Sequence, residues 1–501
     1  MTPSATTRPA TPSGAFGARG ASSRTEAPRF RVGRPSPLAL RRARLTTIRI
    51  TSTTRRMPTI AADSTGPRRP VGPLSREDQA RADALEHLDL DDDLDDDDDD
   101  LHGRRSAMAG PGGAFVRAVV TFLALWCWRI APAGCAWGVV VDGRLVRSPL
   151  MGSPFQWFAA SFVVSSVTCV AALALVRRKL EDGGVALHQP RRTDGVPHHE
   201  TGAKASTPTM GGAAFVPAGL ACALFANKIV GDESVLALCA ATLVMCGVGA
   251  VDDIRKLRQG TADVGLPPAA KLACQSVVAS VLCAWLASGG AGGVVPDTAV
   301  TTLWVNSTLR FGRWFWALAA FTVVAESNAV NVTDGLDGLA ASTVAFALVG
   351  TGMILLGRGQ PQLASFAICV AGAACGFLVV NRHPASVFMG DTGSLALGTA
   401  LGGLVACGGG GMVLPVFVAS GVFVVEVISV VAQRAYFEWT KRTRGSGEKL
   451  LKMSPLHHHL ELSGWGEMKI VVWMAAFGAA CAVAAPRVAL MGVGALQKTS
   501  F

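Results

Sequence analysis

The amino-acid sequence predicts an all-α, polytopic membrane protein of about ten transmembrane helices, with room for one extra N-terminal span. Three observations predict it. The chain is 50% hydrophobic and only 16% charged, with a mean hydropathy of +0.38, too apolar for an ordinary soluble domain. From residue 114 onward, apolar runs of membrane length alternate with short polar loops. Lys and Arg are also divided unevenly between alternate loops, the bias that fixes orientation in a bilayer.

Within the first 150 residues, only those from 114 follow this pattern. Residues 1–60 are rich in Arg, Ser, Thr, Pro and Ala, and residues 1–56 hold twelve Arg against the single acid Glu26. That composition predicts a disordered organelle transit peptide and lacks the apolar core of a secretory signal. Residues 61–113 read as an acidic disordered linker. In the run from Asp89 to Asp100 like charges repel and stay solvated, and no Gly turn is present to wrap a calcium ion. Residues 114–150 form an extra apolar segment broken by Arg117, Arg129 and Pro132; a further span and an interfacial helix both fit it. The net charge of +10 arises in the Arg-rich N-terminus, so no basic surface for nucleic acid is indicated. The 12 Cys are scattered through apolar runs without a CxxC, as expected of small buried residues in a reducing compartment.

Residues 151–501 form the membrane-embedded domain. The expected spans are Phe155–Val176, Gly211–Ala226, Val235–Val251, Pro267–Leu286, Trp314–Ala329, Leu339–Leu356, Leu363–Val380, Ser394–Ala406, Met412–Ala432 and Ile470–Val493. Loops after the odd-numbered spans carry 17 Lys and Arg, and loops after the even-numbered ones carry 4. The first set therefore faces the cytoplasm, or the stroma of a plastid. Every polar cluster in the domain falls in or beside that set, which predicts one active face rather than a path across the bilayer.

The richest cluster is Asn328-Ala-Val-Asn-Val-Thr-Asp-Gly-Leu-Asp-Gly-Leu-Ala340. Carboxylates at a membrane boundary are costly and point to function. Asp334 and Asp337 share a face if the segment is helical, with Asn331 on the same side. Amide and carboxylate oxygens together suit a hard cation such as Mg²⁺; a Gly-rich turn capped by Asp explains the same residues without one. Asp252 and Asp253 close the third span. Adjacent acids on a helix point about 100° apart, so one is free to organise a Lys or a metal and the other to accept a proton. A solvated helix end is the plainer reading. Asp391, in Phe388-Met-Gly-Asp391, is a second hard-ligand candidate, and Phe388 could stack on a flat heterocycle or simply pack. His457, His458 and His459 diverge too much for a zinc site; with the Lys and Arg of their loop they suit phosphate oxygens. Thr207-Pro-Thr-Met-Gly-Gly212, with Thr209 and the preceding Lys204, could hold a diphosphate.

These five strings, in this order and spacing, resemble the phospho-N-acetylmuramoyl-pentapeptide transferase (MraY) family, of the superfamily that moves a sugar phosphate from a nucleotide onto a polyprenyl phosphate. The resemblance covers roughly residues 155–495. It implies a Mg²⁺-dependent transfer from UDP-MurNAc-pentapeptide to undecaprenyl or another polyprenyl phosphate in the bilayer, giving lipid I and UMP. It implies catalytic roles for Asp252, Asp253, Asp334 and His457, and metal ligation by Asp391 and Asn331. It implies substrate contacts for Lys204 and Thr209 near the nucleoside and diphosphate, and for Asp337, Asn381, Phe388 and His458 around the uridine pocket. Glu426 also resembles a family residue, without a defined role. A homodimer is compatible with the resemblance. With the transit-like N-terminus, the implied address is a plastid envelope, active face toward the stroma.

Two other readings compete with this one. A related N-acetylglucosamine-phosphate transferase is the nearer one, and Pro455 with the His triplet argues against it. A transporter is the different-class one. Transporters gather polar groups near the midplane, whereas here they crowd one interface, with Glu326 and Glu426 as partial exceptions. Direct attack by the lipid phosphate and a covalent phospho-aspartate are both compatible with the sequence.

Overall fold

A computed structural model of the chain describes residues 110–121, 139–141, 144–146, 154–182, 207–228, 232–260, 265–290, 295–301 and 308–498. The transit-peptide assignment and the linker up to residue 109 lie outside these residues, as do Lys204 and much of the 114–150 segment; residues 111–113, expected to belong to the disordered linker, instead open helix α1.

The helices are α1 (111–121), α2 (Pro154–Asp182), α3 (Gly212–Lys228), α4 (Glu233–Gln259), α5 (Pro268–Ala287), α6 (Trp314–Thr333), α7 (Leu339–Gly357), α8 (Pro361–Asn381), α9 (Gly390–Gly408), α10 (Val413–Ala419), α11 (Gly421–Arg444), α12 (Leu456–Glu461) and α13 (Glu467–Lys498). Two short hairpins complete the described elements, β1 (Val139–Val141) with β2 (Arg144–Val146) and β3 (Ala299–Thr301) with β4 (Thr308–Arg310).

All ten expected spans coincide with helices. Seven of them are long and apolar enough to cross a membrane by themselves. The ninth differs from expectation. Met412–Ala432 is not one straight span but α10 followed by α11, bent by 77°. The break falls at Ser420-Gly421, where Ser420 leaves helical geometry at φ −80°, ψ 14°; Ser and Gly pairs are a usual cause of such kinks.

Helices α7 and α8 pack against each other as the hub, and both are almost wholly enclosed by protein. The outer helices turn Val164, Val167, Leu243, Val277, Val281, Phe321 and Ile428 outward, as a lipid-facing surface requires. Helix α9 packs mainly on α6 and α4. Gly398 and Gly402, one turn apart, face the α6 backbone at Glu326, Ser327 and Val323 so closely that a methyl group would overlap it. Small residues let membrane helices approach by backbone contact. No disulfide joins the described cysteines.

Candidate active site

The site grows from the contact of α4, α5 and α6 with the start of α9. Asp252 and Asp253 lie near the end of α4, both buried, and they address different partners. Asp252 accepts the Leu266 N–H at 2.5 Å and two ammonium groups, Lys256 Nζ at 2.7 Å and Lys271 Nζ at 3.2 Å. Asp253 turns to the first turn of α9. It accepts the backbone N–H groups of Asp391 and Thr392 at 3.1 and 2.9 Å and the Thr392 hydroxyl at 2.6 Å. A helix start leaves N–H groups without partners and carries partial positive charge, so a carboxylate from another helix is well placed there.

Asp391 closes the cluster. Its Oδ2 lies 3.1 Å from Lys256 Nζ and 2.5 Å from Lys271 Nζ, and its Oδ1 accepts Asn331 Nδ2 at 2.8 Å. Asn331 also donates to Ser394 Oγ at 2.9 Å. One oxygen from each of Asp252, Asp253 and Asp391 falls within 4.8 Å of the others. Gly390, at φ +72°, lets this turn form, and a side chain there would strike Asp253 Oδ2 and crowd Thr209 Oγ1. Thr209 is thereby placed beside the acids. Its segment pairs with the α9 entry, Phe388 N–H donating to Pro208 O at 2.8 Å and Gly211 N–H to Phe388 O at 2.9 Å.

A second group of residues gathers at the α6–α7 turn. Asp334 ends α6 and is half-buried. Asp337 is buried, and its Oδ2 lies 3.0 Å from His383 Nδ1 and accepts the Ala385 N–H at 3.1 Å. Asn381 Oδ1 accepts the Gly338 N–H at 3.1 Å, and Asn381 Nδ2 donates to Val387 O at 3.0 Å. Asp337, Asn381 and Phe388 are thus joined through one turn and one loop.

The third group is α12. His457 is wholly buried, with Nδ1 3.2 Å from Glu426 Oε2. Burial lowers its pKa from the ordinary 6.5, against the pull of Glu426. Its Nε2 faces Gly335, where a Cβ would overlap it. His458 Nδ1 lies 3.0 Å from Glu461 Oε2, and its ring centroid is 4.2 Å from that of His457.

All the described candidate residues therefore belong to three adjoining groups fed by the same loops. Four participants were not singled out from sequence: Lys256, Lys271, His383 and Glu467. Lys256 is legible only as a loop charge, although it stands one turn after Asp252, and Lys271 only as a charge near the start of the fourth expected span.

Comparison with known proteins fixes the family. The family model for Glycosyl transferase family 4 matches residues 235–409, which span α4 to α9 and both aspartate pairs. The chain is 46% identical over 270 residues to the phospho-N-acetylmuramoyl-pentapeptide-transferase of Picosynechococcus sp., covering 54% of this chain and 70% of that protein. The chain belongs to the phospho-N-acetylmuramoyl-pentapeptide-transferase family. Other members of the family are similar to the same extent. The Microcystis aeruginosa transferase is 47% identical over 56% of this chain and 76% of its own length. The Nostoc sp. transferase is 40% identical over 64% of this chain and 85% of its own.

Proposed function

We propose that this chain transfers phospho-MurNAc-pentapeptide from UDP-MurNAc-pentapeptide to a polyprenyl phosphate, forming lipid I and UMP. The observation that carries this reading is the convergence of three buried or half-buried carboxylates with two ammonium groups at one end of a membrane bundle, within the matched family region. Phosphoryl transfer between two anions needs charge neutralisation and alignment more than covalent chemistry.

In this reading an acceptor phosphate oxygen attacks the phosphorus next to the sugar. A new P–O bond forms, the P–O bond to the uridine phosphate breaks, and UMP leaves with the electron pair. Lys256 and Lys271 hold positive charge where the phosphates meet. Asp252, between them, accepts any residual acceptor proton. Asp253 holds the α9 turn and so the position of Asp391. The turn and loop bearing Asp334, Asp337, Asn381 and Phe388 bind the nucleoside, Thr209 and Lys204 bind near the diphosphate, and His457 and His458 orient the sugar side.

The donor set also suits a divalent cation. It is all oxygen, it is acidic, and the ammonium groups bridging Asp252 and Asp391 mark a point where positive charge is already stable. Asp391 would hold Mg²⁺, with Asn331 beside it. Bound there, the ion would neutralise phosphate charge and polarise a phosphoryl oxygen.

The Arg-rich, acid-poor residues 1–60 and relatives from cyanobacteria support a plastid envelope address, with the acidic cluster toward the stroma. The deciding assay offers the purified protein UDP-MurNAc-pentapeptide and UDP-GlcNAc in parallel, with undecaprenyl phosphate as acceptor. Lipid I from the first donor alone is expected. Preferential use of UDP-GlcNAc would transfer the assignment to the N-acetylglucosamine-phosphate branch.

A further inference from the structure

The loop between α8 and α9 carries Phe388 and delivers Asp391, and it is fastened by a group that the transfer reaction does not itself use. His383 Nδ1 lies 3.0 Å from Asp337 Oδ2 and 3.3 Å from Glu467 Oε2. The imidazole N–H therefore serves two carboxylates at once. Glu467, the first residue of α13, also accepts the Asp337 backbone N–H on Oε1 at 2.8 Å. One carboxylate thereby ties together the α6–α7 turn, the α8–α9 loop and the helix that follows the His triplet.

The fastening is inside the protein rather than on its surface. The Asp337 and Glu467 side chains are 2% and 12% exposed, and His383 is 35% exposed. Donating to Asp337 and Glu467 pushes the His383 pKa up to about 9, against a smaller opposing effect of burial. The charged groups facing the ring are Asp337 from the turn and Glu467 from α13. Helix α1 packs its Gly112 against the His383 carbonyl, and its one charged residue, Arg117, is exposed. Arg382 is the neighbouring charge on the loop itself. The same three ligand atoms could be read as a metal site, but the imidazole proton already accounts for their spacing.

We propose that His383 and Glu467 are positioning residues for the nucleotide: their clasp on Asp337 fixes the Phe388 loop against the α6–α7 turn, and with it the shape of the nucleoside pocket. The proposal rests on the functional reading above only in taking the nucleotide to be uridine-based. Neither residue touches reacting atoms, so its loss changes donor binding and leaves the chemical step alone. A charge-assisted hydrogen bond of this kind corresponds to about a tenfold change in affinity.

The test measures donor KM, lipid KM and kcat for the full chain and for His383→Ala, His383→Asn and Glu467→Gln, together with UMP binding by calorimetry. His383→Ala is expected to raise donor KM and weaken UMP about tenfold, with kcat and lipid KM within about threefold. An Asn amide donates from nearly the position of Nδ1, so His383→Asn should recover most of the donor KM at neutral pH. In the unaltered protein donor KM should rise as pH passes about 9, where the imidazolium loses its proton, and His383→Asn should not show that rise. An unchanged donor KM and UMP affinity in His383→Ala overturns the proposal. So does a parallel loss in both substrates and kcat, which would mark a general structural role. Should the unaltered protein fail to use UDP-MurNAc-pentapeptide, the functional reading falls, while UMP binding by the variants still decides the clasp.

Discussion

Lys271 Nζ lies 2.5 Å from Asp391 Oδ2, an ion pair between the first turn of α5 and the first turn of α9. The same ammonium reaches Asp252. Lys271→Met leaves Lys256 to balance both Asp252 and Asp391. It is therefore expected to cost about 1–3 kcal/mol of stability at this cluster. It should also lower kcat by two orders of magnitude or more, as loss of a preorganised charge does. Thermal melting in detergent and a lipid I assay check the two effects; near-normal turnover would remove Lys271 from the site.

Asp391→Asn keeps the size of the side chain and removes its charge. Transfer should fall by about a thousandfold, the scale of losing one preorganised electrostatic group, while membrane insertion and UMP binding persist. Excess chelator should silence the unaltered protein, and Mg²⁺ or Mn²⁺ should restore it. Full activity in chelator would exclude the metal role.

Gly335→Ala tests the third group. The added methyl would overlap Nε2 of the buried His457, which has little room to retreat. The expected result is a fall in kcat of about tenfold or more, because small displacements of positioned groups are costly. His457→Ala in the same background should cause little further loss. Additive losses would show that the two residues act separately.

Acid should loosen α12. Burial keeps the His457 pKa below the ordinary 6.5, so the unfolded chain binds this proton more readily than the native one. Stability from this group is present above about pH 6.5 and declines as pH falls below it toward the native value. Melting temperatures between pH 7.5 and 5 should fall more steeply for the unaltered protein than for His457→Asn. Parallel curves would remove His457 as the source.

Residues 1–60 fused to a fluorescent reporter should enter plastids, since abundant Arg and Ser with few acids is what import sequences share. A mitochondrial or cytosolic signal would change the address without touching the enzymatic reading.

Much of this architecture can be read from residue order. Length and apolarity alone locate the helices, and the loop charges place Asp252, Asp334, Asp391 and His457 on one side. Pairwise partners are another matter. Lys271 reads as an ordinary positive charge at a span boundary, because nothing local records that Asp391 will fold against it. His383 reads as a loop residue beside Pro384, and Glu467 as an acid suited to a helix start. Glu426 is conspicuous inside an apolar run, yet its reason is His457, on a different helix. The bend at Ser420-Gly421 is equally quiet, since Ser and Gly are tolerated in straight membrane helices.

The three hydrogen bonds that Asp253 accepts from the start of α9 make the end of one helix the seat of another. Tilting α4 must carry Asp391 with it, so Asp252, Asp253 and Asp391 travel as one anvil rather than as jaws that open. Traffic of nucleotide and lipid through the site is then left to the connecting segments around 334–338, 382–389 and 445–466. Nucleotide and lipid entry and release should then respond to changes in those segments.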